Sequence, residues 1–240
     1  MRLSQLVALV SLNAALYAAL GYASYLGLFA PAIGVVRFWP SVFIPGLFAV
    51  LFGELVGGLG AAIGIFISDM LIHGNALLSL SVGVPANFLG FYTVGYLYKN
   101  LKDGKKWLAA TLAEELSVIA AVKLAWLQGL LDWPVAMAYF IGMLAALSFT
   151  VAYGGGQNPL ITFSCSTGLL LGSGVIGVGV YAFSQFFTLP TGAFKLTIDA
   201  ALLWFLWTYV TEIPFMVAFV PPLVKAATRV LPKVRSVESG

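Results

Sequence analysis

Six apolar runs dominate the chain, at 4–27, 77–98, 107–131, 134–153, 160–188 and 196–224. Each has the roughly 20 residues that a helix needs to cross a bilayer. A seventh run, 41–72, is too long for one such helix and is interrupted at Phe52-Gly53-Glu54. It reads as two short helices, 41–53 and 55–72, joined by a tight turn. The expectation is an all-α polytopic membrane protein, a bundle of eight helical segments, with six spans as the fallback. Only 9% of the residues are charged, against roughly 25% in a soluble domain. That leaves too little charge to cover a water-facing surface. A soluble enzyme, a disordered chain and a nucleic-acid-binding domain are therefore excluded as readings. The first run is longer than the roughly 7–15 apolar residues of a signal peptide and reads as a retained helix. The single cysteine, Cys165, allows no internal disulfide and no multi-cysteine metal site; it reads as a small packing residue.

The basic residues are unevenly placed. Arg2, Lys99, Lys102, Lys105, Lys106, Lys225, Arg229, Lys233 and Arg235 fall on one side of the expected spans, and Arg37 and Lys195 on the other. Short loops rich in Lys and Arg mark the cytoplasmic side, so both termini are expected there. Nothing delimits a second domain: the chain reads as one transmembrane domain, 1–240, with 225–240 as a short basic cytoplasmic tail. Topology accounts for that tail without anionic lipid or RNA as a partner.

Helices in lipid associate through small residues that permit close approach. Ala15, Ala19 and Ala23 recur at a spacing of four with Ala14 and Ala18 beside them, and Gly53/Gly57, Gly60/Gly64 and Gly168/Gly172 repeat the same spacing. The glycine pairs read as internal packing; the alanine ridge reads either as packing or as a partner-docking face.

Ionisable groups at membrane depth are costly and mark cavities or pairs. Glu114, Glu115 and Lys123 share one segment. Glu115 and Lys123, eight residues apart, stand about two turns and roughly 80° from one another on a helix, so they meet a common polar seam or bind separate neighbours. Glu212 stands in Thr211-Glu212-Ile213-Pro214, where the proline frees a carbonyl one turn earlier; it is either a ligand contact or a hinge satisfied by Thr208 or Thr211. Arg37-Phe38-Trp39-Pro40 sets a guanidinium beside aromatic rings, a combination suited to an aromatic or anionic small molecule, although Trp39 also fits a lipid anchor. His73-Gly74-Asn75, Asn87 and Tyr92 complete the candidate binding residues; Asn87 lies in an apolar span and needs a hydrogen-bond partner. With one histidine in the chain a metal site is not expected. There is no Walker loop, HExxH or GxSxG, so no enzymatic activity and no cofactor is expected, and ATP hydrolysis would require a partner.

The Ala14/Ala15/Ala18/Ala19 ridge, Arg37-Phe38-Trp39-Pro40, Phe43-Ile44-Pro45, Leu51-Phe52-Gly53 and Gly57-Gly58-Leu59-Gly60, with Thr211-Glu212-Ile213-Pro214-Phe215 and Pro221-Pro222-Leu223 near the end, together resemble a substrate-binding S component of an energy-coupling-factor transporter. The likeness covers about residues 5–98 and 205–225 and is weak between them. It implies a membrane protein that captures a vitamin, a vitamin precursor or another micronutrient from outside, with a transmembrane coupling subunit and a pair of ABC-type ATPases as partners. It implies that Ala14, Ala15, Ala18 and Ala19 meet the coupling subunit. It also implies that Arg37, Phe38 and Trp39 cap an outward pocket. Such proteins usually have six helices in under about 200 residues; the extra length here falls in 107–188. Two other classes fit the residues. One is an ion-driven secondary transporter or channel using Glu115, Lys123 and Glu212; the other is a membrane sensor or assembly factor that transports nothing.

Overall fold

The structure, a computed structural model, describes residues 1–28, 32–33, 36–37, 39–154 and 159–230. It is an all-helical bundle. The helices are α1 (Leu3–Ala23), α2 (Pro40–Phe52, opening in a 3₁₀ turn), α3 (Glu54–Ile72), α4 (Ala76–Asn100), α5 (Lys106–Leu127), α6 (Trp133–Phe149), α7 (Pro159–Phe186) and α8 (Asp199–Val230). Six of them, α1, α3, α4, α6, α7 and α8, are long and apolar enough to cross a membrane, so this is a multi-pass membrane protein. At 13 residues α2 is short; α5 has the length but carries Lys106, Glu114, Glu115 and Lys123. The only strand pairing among the described residues joins Ala32–Ile33 to Val36–Arg37, ahead of α2.

The break read at Gly53 is a turn. Gly53 adopts φ +98, a left-handed conformation open to glycine without a Cβ penalty, and α2 reverses into α3 there. Glu54, in the first turn of α3, accepts a hydrogen bond from Lys99 Nζ at 2.9 Å. The α2–α3 turn therefore sits at the same end of the bundle as the basic connector after α4, here termed the basic end. The opposite, cap end carries the segment between α1 and α2, the His73–Asn75 turn and the α7–α8 connector.

Two helix ends and the course of one helix depart from the sequence expectation. The segment read as 107–131 stops at Leu127, because Gly129 at φ +73 lets Leu130 N–H reach back to Ala125 O at 2.9 Å and Gly129 N–H to Trp126 O at 3.0 Å, a Schellman close. The last helix continues to Val230, six residues into the stretch read as tail. Pro85 has no N–H to offer the carbonyl of Ser81, and the chain ahead of it widens into a π-type turn at Ser79–Gly83, so α4 is not α-helical throughout.

Helix α8 lies at the centre. Leu206, Tyr209, Ile213, Met216, Val217 and Val220 are all fully buried, and three internal prolines, Pro214, Pro221 and Pro222, are accommodated within it. Gly57, Gly60, Gly64, Gly168 and Gly172 pack against neighbouring helices as read, whereas Gly53 serves the turn and touches nothing within 4 Å. A Cβ at Gly57 would overlap Ala49, and one at Gly168 would lie 2.7 Å from Gly90 O, so α2–α3 and α4–α7 approach backbone to backbone. Cys165 is fully buried, also as read. The alanine ridge divides. Ala14 and Ala18 are buried, with Ala14 O only 2.9 Å from where a Cβ on Gly64 of α3 would stand, while Ala15 and Ala19 on the next face are exposed. The expectation that all four face a partner is corrected for Ala14 and Ala18, which are buried within the chain; Ala15 and Ala19 remain as the exposed part of the ridge.

Candidate functional site

Helices α1, α3, α4, α7 and α8 do not close completely toward the cap end. They leave a cavity of about 100 Å³ that is open at a mouth. Trp39 roofs it. The indole is 5% exposed and lies over Gly21, where any Cβ would overlap the ring; it meets Tyr17 edge-on with centroids 6.2 Å apart. A belt anchor would face lipid at the interface, whereas Trp39 is buried and lines the cavity. Phe91, edge-on to Tyr17 at 6.1 Å, Leu169 and Ile176 add to an apolar lining.

Polar groups in that lining fall into two sets. In the first, every group is satisfied by the protein. Tyr17 OH donates to Asn87 Oδ1 at 2.8 Å, and Asn87 Nδ2 donates to Gly83 O at 2.9 Å, which supplies the partner that Asn87 requires in an apolar span. Ser79 Oγ donates to Asp69 Oδ2 at 2.7 Å, and His73 Nε2 lies 3.3 Å from Asp69 Oδ1, one turn along α3. Asn75 N–H closes on His73 Nδ1 at 3.0 Å. Replacing Tyr17 by Phe removes one buried hydrogen bond and leaves Asn87 Oδ1 unsatisfied. The expected loss is about 1–3 kcal/mol, read as a lower unfolding temperature in mild detergent with unchanged yield.

The second set has no partner among the described residues. Thr208 Oγ1 and Ser173 Oγ are buried and make no hydrogen bond. Glu212, one turn after Thr208 on α8, is 7% exposed and lines the cavity. Among the described residues no hydrogen bond or ion pair reaches its carboxylate. Neither hydroxyl proposed for a hinge binds it: Thr211 Oγ1 donates instead to Trp207 O at 2.7 Å. Thirteen residues at 1.5 Å per residue place Glu212 about 20 Å from the start of a helix about 48 Å long, well inside the apolar region.

Of the residues expected to bind a solute, Trp39, Asn87 and Glu212 come together in the cavity. Two do not. Asn75 caps the start of α4, its Oδ1 accepting from Leu78 N–H at 3.0 Å. Tyr92 is five residues beyond Asn87, about 140° round the helix, and stacks between Phe88 and Tyr96 at 5.6 and 6.2 Å. Phe38 and the side chain of Arg37 lie outside the described residues. Sequence reasoning did not single out Tyr17, Asp69, Ser173 or Thr208 as cavity residues. The available signals were the i,i+4 pairs Asp69/His73 and Thr208/Glu212, which share a helix face.

The remaining acidic pair is separate from the cavity. Glu115 is fully buried and accepts from Thr150 Oγ1 at 2.7 Å; Glu114 accepts from Thr167 Oγ1 at 2.7 Å. Lys123 is exposed, so Glu115 and Lys123 share no seam and the two carboxylates bind separate neighbours, α6 and α7. Ser166 and Tyr209 share a hydrogen bond of 2.7 Å beside them. Among the described residues no group of three or more His, Cys, Asp or Glu is placed to hold a metal ion. Comparison with models of protein families, with curated proteins and with solved structures gave no match.

Proposed function

We propose that this protein is the membrane-embedded solute-binding subunit of an ATP-driven importer for a micronutrient. In this reading it captures the solute at the outer face of the cell membrane, with both termini in the cytoplasm, and hands it on with a transmembrane coupling subunit and ABC-type ATPases. One observation carries the reading: a cavity roofed by a buried tryptophan, at the end of the bundle away from the basic connectors. Its lining is mostly apolar with a few convergent polar groups, of which Glu212, Thr208, Ser173 and Trp39 Nε1 have no partner among the described residues, which is the composition of a binding site. Exposed Ala15 and Ala19 leave a smooth strip on α1, as the resemblance to S components requires of a docking face.

The test is recovery of partners. A tagged chain purified from its native membrane in mild detergent is expected to bring down a second membrane protein and ABC-type ATPases, identified by mass spectrometry. The double variant Ala15→Leu, Ala19→Leu is expected to lose them while keeping the wild-type unfolding temperature, since neither side chain is buried within the chain. Wild type and variant that both purify alone, and uptake that survives ATP depletion but collapses with the ion gradient, would turn the assignment to a secondary transporter. The observation favouring that rival is the pair Glu114 and Glu115, each with one buried carboxylate oxygen unpartnered, at positions suited to a proton or cation path.

A further inference from the structure

We infer that the cavity selects a cationic solute, a protonated amine or quaternary nitrogen on an apolar body, with Glu212 as its counter-ion. This deepens the solute-binding reading and rests on it.

The argument starts from the imbalance of charge. Glu212 is buried on all sides but the cavity, and a carboxylate removed from water is costly unless a cation or several donors face it. The described residues supply neither. No Lys or Arg side chain among the described residues lines the cavity. The one imidazole there, His73, is engaged by Asp69 through Nε2 and by Asn75 N–H through Nδ1. An anionic ligand would be buried against Glu212 with no described cation in the lining to offset the repulsion, and a neutral one could donate a hydrogen bond to Glu212 but would leave its charge uncompensated.

The neighbours of Glu212 fit the same ligand. Thr208 Oγ1, one turn away on the same face, and Ser173 Oγ on α7 are unpartnered. Both can accept N–H bonds from an ammonium head. Tyr17 and Trp39 present aromatic rings to the cavity, and such faces attract cations, more strongly when water is excluded. Of the aromatic or anionic solute read from Arg37, the inference keeps the aromatic alternative and takes the opposite charge, because the carboxylate of Glu212 lines the cavity without a described partner.

The test uses matched trios that share a body and differ in the head group: phenethylamine, 2-phenylethanol and 3-phenylpropionate, then tryptamine, tryptophol and indole-3-propionate. Binding to the purified full chain in detergent at pH 7 is read by calorimetry and by the shift in unfolding temperature. The amine of each trio is expected to bind at least about tenfold more tightly than its two counterparts. Glu212→Gln, which keeps the shape and removes the charge, is expected to weaken the amine about 30-fold or more, the scale for breaking a buried charge pair, and to abolish the preference. Thr208→Val is expected to weaken it severalfold with the ranking kept, and it keeps the test open should Glu212→Gln fail to fold. An alcohol or carboxylate that binds as well as its amine overturns the inference, as does an amine preference that survives in folded Glu212→Gln. A carboxylate preference lost in Arg37→Gln overturns the sign of the charge while leaving the solute-binding reading intact. Failure of all six compounds to bind wild type overturns the inference, and when purified protein also comes without its expected partners, the solute-binding reading falls with it.

Discussion

Gly177→Leu is expected to yield no monodisperse protein, while Gly174→Leu, one turn earlier on the same helix, is expected to purify and unfold like wild type. The two glycines look alike in the Gly-Ser-Gly-Val-Ile-Gly stretch that carries them. Their surroundings differ. A Cβ on Gly177 would overlap the backbone carbonyl of Ala201 and lie 3.2 Å from Phe205 Cβ, so α8 itself would have to move; a Cβ on Gly174 meets nothing within 4 Å. A flexible side chain can turn away from a clash, but a helix backbone cannot without breaking the packing beyond it. The displaced helix is the most buried in the molecule, so the cost should exceed the roughly 1–3 kcal/mol of ordinary overpacking. Size-exclusion profiles and unfolding temperatures of the two variants, made side by side, check this. Equal behaviour would show that α7 and α8 do not meet at Gly177.

Trp39→Ala carries the second large effect. Trp39 fills the space between Gly21 and Tyr17, and truncating a buried tryptophan costs about 3–5 kcal/mol through lost burial and the void left behind. It should also unroof the cavity, so that any bound solute dissociates faster. Trp133→Ala is the matched control. Trp133 is 55% exposed at the start of α6, as an interfacial anchor should be, and its removal should change the unfolding temperature little. A Trp39→Ala protein as stable as the Trp133→Ala protein would return Trp39 to the role of lipid anchor.

These pairs show where sequence reasoning reached and where it stopped. The helical segments and the reversal at Gly53 were legible, because apolar length and a glycine beside a charge report directly on chain direction. The end of α5 was misplaced by about one turn because Leu130 and Leu131 continue the apolar run, whereas Gly129 terminates the helix through backbone conformation. In the site, Trp39, Asn87 and Glu212 stood out because an aromatic beside a proline, a buried amide and a lone carboxylate are each out of place in an apolar stretch. Tyr17, Ser173 and Thr208 were not singled out because such residues are ordinary in a membrane helix and matter here only through the face they occupy.

By itself the sequence determined that this chain lives in a membrane and is built of helices. Both follow from composition: with so little charge there is no surface for water, and in lipid the backbone must satisfy its own hydrogen bonds within each segment. Tertiary structure alone decided which side of each helix turns inward. A helix surrounded by lipid and by other apolar helices has no polar face to announce its orientation. Ala14 and Ala15 could therefore exchange roles, Glu115 could have met Lys123, and Glu212 could have found a donor. The packing of α1 on α3, of α5 against α6 and α7, and of α8 through the centre settled all three. It covers Ala14, separates Glu115 from Lys123, and leaves the Glu212 carboxylate facing a mostly apolar cavity with no described partner.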